Sequence, residues 1–216
     1  MAVPKRPNEF DEDGEDRDVV ERIFDEEDDQ EEDGGWIAET DIPFHLLALA
    51  RAAESGDLDA FRNALDSHSM NGTINDPIED GDTALHLCCL YGYLPCVQLL
   101  LDRGASPEIK DEEGAIPLHD ACAGGYTEIV QLLINSGNSA VLQRMLNTVE
   151  AEGETPLHHA ARGEHTDVVR LLLAVGASPH KVNIYGKTPA ELAGPGTEVK
   201  EILEDALAYA NSVPCQ

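Results

Sequence analysis

Apolar positions along residues 153–185 come in two short bursts separated by polar residues and glycine. Leu157, Ala160 and Ala161 stand at i, i+3 and i+4, which makes one apolar helix face. Val168-Val169 and then Leu171-Leu172-Leu173 form a second, returning helix. Gly176 ends it, as glycine can at a left-handed C-terminal position. Thr155 and Pro156 suit the N-cap and first position of the first helix. The hydroxyl can accept a free backbone N–H, and proline has none to strand. The two alanines are small, so a neighbouring helix can approach closely. One such hairpin cannot bury its faces alone, so the pattern predicts a stack with a core shared between neighbours.

The pattern recurs. Gly153-Glu154-Thr155-Pro156-Leu157-His158-His159-Ala160-Ala161 has imperfect copies in Gly81-Asp82-Thr83-Ala84-Leu85-His86-Leu87-Cys88-Cys89 and Gly114-Ala115-Ile116-Pro117-Leu118-His119-Asp120-Ala121-Cys122. A fading copy reads Gly186-Lys187-Thr188-Pro189-Ala190-Glu191-Leu192-Ala193. The leading glycines are 33, 39 and 33 residues apart. A 33-residue period carrying T-P-L-H resembles the ankyrin repeat family, whose unit is a β-turn plus two antiparallel helices. The resemblance covers residues 43–210 and implies an all-α ankyrin solenoid behind a separate N-terminal region.

On this reading the chain divides into an N-terminal region, 1–42, a repeat domain, 43–210, and a short tail, 211–216. Residues 43–80 form an N-terminal capping unit, since Ala52-Ala53-Glu54-Ser55-Gly56-Asp57-Leu58 matches the later units without a T-P-L-H entry. Repeats follow at 81–113, 114–152 and 153–185, and 186–210 is a C-terminal capping repeat. Three departures stand out. Ile116 replaces the capping threonine, a loss of about 1 kcal/mol unless another group takes the role. Six extra residues follow Gly137, where the helical spacing of Val141, Leu142, Met145 and Leu146 predicts an added helical turn or two. A neutral insertion is the plainer reading there, and a lengthened finger that alters binding is the sharper one. Glu164 stands where Gly92 and Gly125 turn between helices, so an altered turn is expected.

Charge changes the picture. The chain has 43 acids and 14 Lys plus Arg, a formal charge of −29, and 18 of those acids with 4 bases fall in residues 1–42. The run from Asp25 to Asp33 cannot bury enough apolar surface to offset chain entropy, so the region is predicted disordered. Val19-Val20-Glu21-Arg22-Ile23-Phe24 interrupts it as a candidate short binding motif, against the plainer reading of a solvated tail. So acidic a chain is repelled by nucleic-acid phosphates and anionic membranes, which excludes both as main partners. No apolar run approaches the ~20 residues needed to span a bilayer, and the acidic N-terminus is unlike a signal or transit peptide. Five cysteines, an odd number with four at helical core positions, fit a reducing compartment, cytoplasm or nucleus.

Catalysis finds little support. His86, His119 and His158 recur at one repeat position, where the family's imidazole fastens the turn to its neighbours, so they read as structural. Cys88, Cys89, Cys96 and Cys122 have no zinc-ligand spacing, and each fits a small apolar slot. There is no phosphate loop, H-E-x-x-H or nucleophile elbow. No enzyme activity, cofactor or metal is expected.

What the resemblance leaves is a binding face of hairpin tips and exposed first-helix residues lining a concave surface. In this chain those positions are Glu79, Asp80, Asp82, Leu90 and Tyr91, then Glu112 and Glu113. Glu152, Glu154 and Arg162 follow, with Tyr185 and Lys187 at the end. Seven acids against two bases suit a cationic segment, with the tyrosines as anchors. The expected function is a monomeric, non-enzymatic adaptor holding a protein partner with a basic epitope. The alternative is an acidic-tail chaperone for basic proteins such as histones or ribosomal proteins.

Overall fold

The computed structural model describes residues 47–68, 73–78 and 80–212. Contacts along the chain separate residues 1–39 from residues 40–216, and everything described belongs to the second unit. The expectations for residues 1–42, and the binding position Glu79, lie outside the described residues.

Helices are the only extended elements among the described residues. They come in pairs: α1 (Leu47–Ser55) with α2 (Leu58–His68), α3 (Ala84–Leu90) with α4 (Leu94–Asp102), and α5 (Pro117–Ala123) with α6 (Thr127–Asn135). After an intervening α7 (Ser139–Asn147) come α8 (Pro156–Arg162) with α9 (Thr166–Ala174), then α10 (Pro189–Leu192) with α11 (Glu198–Ser212). First helices pack in one row, α1-α3-α5-α8-α10, and second helices in another, α2-α4-α6-α9-α11. One apolar cluster runs through both rows from Leu49 to Leu203. The row of first helices is tight because Cys88, Cys89, Ala121, Cys122, Ala160 and Ala161 are small and wholly buried. Burial pushes the Cys89 and Cys122 thiols well above their usual range, so they act as neutral hydrophobes.

The first helices α3, α5 and α8 are each entered through an imidazole. The backbone N–H and the hydroxyl of Thr83 meet His86 Nδ1 at 3.1 and 3.0 Å, and those of Thr155 meet His158 Nδ1 at 3.1 and 2.8 Å. The threonine hydroxyl therefore serves the ring, while the His158 N–H goes to the Thr155 carbonyl at 2.9 Å. This differs from the simple side-chain cap expected from the sequence. Ile116 lacks the hydroxyl, yet its backbone N–H still reaches His119 Nδ1 at 3.1 Å. The opposite nitrogen crosses to the next unit: His119 Nε2 lies 3.3 Å from the Glu154 carbonyl and His158 Nε2 lies 3.2 Å from that of Lys187. Because Nδ1 accepts, Nε2 carries the proton and the ring is neutral. Burial agrees, lowering the His119 pKa to about 3. The last unit has no described neighbour beyond it, and there Glu191 takes the position, accepting from Thr188 N at 2.8 Å.

The insertion is more than a turn or two. At Gly104 and Gly176 the chain reverses with φ of 88° and 97°, but Gly137, in the same register, is not left-handed. The chain instead runs on to Asn138, whose Oδ1 accepts from Ala140 N and Val141 N, each at 3.0 Å, and starts the nine-residue helix α7. Met145 and Leu146 are buried in the core, and the Arg144 guanidinium clasps Glu108 with two bonds of 2.7 and 2.9 Å. The segment is a helix packed on the core rather than a longer finger. Glu164 also keeps the turn that its glycine counterparts make: its φ is 58°, and its Oε1 accepts from Gly194 N.

Candidate functional site on the finger face

A short hairpin, or finger, precedes each of the first helices α3, α5, α8 and α10. A backbone N–H closes each one, from Ile78 to Asp82, Asp111 to Ala115, Glu150 to Glu154 and Asn183 to Lys187, at 2.6–3.2 Å. Side-chain oxygens brace the last three: Asp111 accepts from Ala115 N, Glu150 from Glu154 N and Asn183 from Lys187 N, at 2.8, 3.0 and 3.0 Å. Neighbouring fingers are joined by Glu112 N to Asp80 O at 3.1 Å and Ile184 N to Glu152 O at 2.8 Å. The matching rung in the middle, Ala151 N to Glu113 O, is not made among the described residues. The gap lies where α7 delivers the chain into the third finger. A pocket of about 390 Å³ opens there, lined by Glu113, Glu150, Ala151, Glu152, Glu154, His159 and Arg162.

The chemistry of this pocket is uneven. Glu154 is 1% exposed, so its carboxylate needs partners. Its Oε1 has two, the Arg162 guanidinium and Asn183 Nδ2, the latter at 2.9 Å. Its Oε2 has no hydrogen-bond partner, nor does the buried His159 Nε2, 3.9 Å away. Burial lowers the His159 pKa more than its acidic neighbours raise it, leaving the ring neutral at pH 7. The ring stands edge-on to His119, centroids 5.3 Å apart. Glu150, Glu154 and His159 are the one group of potential metal ligands that converges among the described residues. One repeat earlier, Asp120 takes the position of His159; burial and nearby Asp82 and Asp111 raise its carboxyl to about 8.

The positions expected from the sequence are placed unequally. Glu113, Glu152, Glu154 and Arg162 converge on the pocket. Glu154, expected on the exposed face, is instead buried, because its carboxylate ties the third finger to Asn183 of the fourth. Asp80, Glu112, Lys187 and Tyr185 are exposed on the fingers, Asp82 is half-buried, and Leu90 and Tyr91 are exposed at the end of α3. Sequence reasoning missed Glu150 and His159. Glu150 stands in register with Asp111 and Asn183, a position that offers a side-chain oxygen in the last three fingers, and His159 stands where Leu87 and Leu192 do. It also missed Val182 and Ile184, which with Tyr185 make an exposed apolar tip on the fourth finger.

Residues 49–145 match the family model described as ankyrin repeats (3 copies), and residues 118–173 match another described as ankyrin repeats (many copies). Together the two matches span residues 49–173, more than half of the chain. Comparison with curated proteins gives no match. The helix-pair stack, its imidazole-fastened fingers and these matches agree: the chain belongs to the ankyrin repeat family.

Proposed function

We propose that the stack holds a partner protein by a basic segment laid along the face made by the fingers and first helices. Ankyrin repeats are protein–protein interaction modules, and that much follows from the family. The observation that supports the basic segment is a charge surplus on the fingers: Asp80, Glu112, Glu113 and Glu152 are all exposed, and of the nearby cations Arg162 is already engaged by Glu152 and Glu154. Exposed Leu90 and Tyr91 on one side and Ile184 and Tyr185 on the other supply apolar anchors. Carboxylates in this arrangement steer and orient a cationic partner more than they tighten it, so binding should weaken as salt rises. Among the described residues no helix is long and apolar enough to cross a membrane.

The test is affinity capture from cell extract with the intact chain, with Asp80, Glu112, Glu113 and Glu152 all changed to Gln, and with residues 1–42 removed. The captured partner should be retained without residues 1–42 and lost from the charge-changed stack. Loss only when 1–42 is removed would transfer the function to the acidic region, the chaperone reading.

A further inference from the structure

The inter-finger pocket supports a narrower statement, which rests on the reading that the partner is basic. Its two unpartnered atoms, Glu154 Oε2 and His159 Nε2, are shut from solvent, and with Glu150 their ligand atoms lie within 4.8 Å of one another. Glu154 cannot turn away to solvate its free oxygen, because Arg162 and Asn183 hold the other one. We infer that this pocket receives one lysine side chain of the partner, whose ammonium donates to Glu154 Oε2 and His159 Nε2.

Three features select that ligand. A lysine ammonium has three donors and no acceptor, and it faces a carboxylate oxygen and a neutral imidazole nitrogen that can both accept. Tetrahedrally placed acceptors about 2.8–3.0 Å from one nitrogen stand roughly 4.7 Å apart, so Glu154 Oε2 and His159 Nε2, 3.9 Å apart, open slightly to share one ammonium. Zinc, bonding at about 2.0–2.1 Å, would draw the same pair in from 3.9 Å to roughly 3.4 Å, a comparable movement, so Zn²⁺ is the competing ligand. A guanidinium prefers both oxygens of one carboxylate, and Arg162 already occupies one oxygen of Glu154. The pocket's four carboxylates against one guanidinium leave negative charge to spare for an incoming cation. Its 390 Å³ has room for a four-carbon stem.

The full chain, labelled at histidine with ¹³C and ¹⁵N, is titrated with n-butylammonium, with tetramethylammonium at equal ionic strength, and with Zn²⁺. Butylammonium should move the His159 signals saturably, tetramethylammonium, which has no N–H, should not, and Glu154→Gln should abolish the response. Absence of a shift, equal shifts from tetramethylammonium, or a stoichiometric response to Zn²⁺ alone would overturn the proposal, the last in favour of a metal site. A dodecapeptide of alternating lysine and glycine separates this from the broader reading. It should bind about tenfold more weakly to Glu154→Gln and to His159→Gln, whose folding is checked by circular dichroism. Equal binding to all three sinks the pocket but keeps the basic-segment reading. Butylammonium binding without peptide binding sinks the basic-segment reading and, with it, the lysine of a partner as the pocket's ligand.

Discussion

Gly92 and Gly125 show how much one hydrogen in place of a side chain decides. Both turn with positive φ, 77° and 72°, and each is covered by a ring from the next repeat. A Cβ on Gly92 would meet the Tyr126 ring at 2.5 Å, and one on Gly125 would meet His165 at 2.3 Å. At the corresponding turn Glu164 is admitted because the following unit brings Glu198, which turns to Arg170, in place of a ring. Glu164 then accepts left-handed strain and returns a bond to Gly194 N. Gly92→Ala should therefore cost at least about 2 kcal/mol, strain and overpacking together. Glu164→Gly should change stability by less than about 1 kcal/mol, since relief of strain and loss of the bond oppose each other. Urea denaturation of both variants checks the contrast, and equal losses would contradict it. The recurring histidine was legible as structural from its recurrence alone. The orphaned pair, Glu154 Oε2 and His159 Nε2, was not, because each lacks a partner only once the third finger has been set in place.

At the scale of elements, α7 is where sequence and structure part furthest. The helical spacing of Val141, Leu142, Met145 and Leu146 announced a helix, but not whether it would face solvent or core. The decision falls at Gly137: a Cβ there would lie 2.6 Å from the Val141 side chain, so glycine makes room for the helix to fold back. With Met145 1% exposed, Met145→Ala should cost about 2–5 kcal/mol. A shift of less than about 0.5 kcal/mol in the denaturation midpoint energy would instead make α7 a surface ornament. The same element leads into the finger that fails to pair with its predecessor, so an insertion read as neutral borders the most distinctive pocket on the finger face.

At the scale of the molecule, desolvation lowers the pKa values of four histidines below 6.5 and raises one carboxyl, Asp120, to about 8. Below about pH 6.5 the unfolded histidines take up protons that the folded ones refuse, so stability falls on acidification. Asp120 works in reverse: from its ordinary value to about 8 the folded state holds a proton that the unfolded state has released, so stability falls as pH rises. Four groups outweigh one on the acid side, and Asp120 acts alone between about 6.5 and 8. Thermal melts should show maximal stability near pH 6.5–7, a steep acid limb, and a shallow alkaline limb that Asp120→Asn removes. A profile flat from pH 4.5 to 6.5 would show that the histidines are not buried neutral.

By itself, the sequence determined the repeat architecture: a pattern of small, apolar and capping residues that returns every 33 residues can satisfy its helix faces only by stacking. It also determined which residues crowd the finger tips, and hence the acidic character of that face. Only the tertiary structure decided which of those acids remain available. Burial is a property of neighbours, and Glu154 and His159 acquire theirs from Asn183, Arg162 and His119 on three different elements. Whether two fingers zip together or part likewise depends on a helix that packs against both the core and Glu108, contacts that no local pattern encodes.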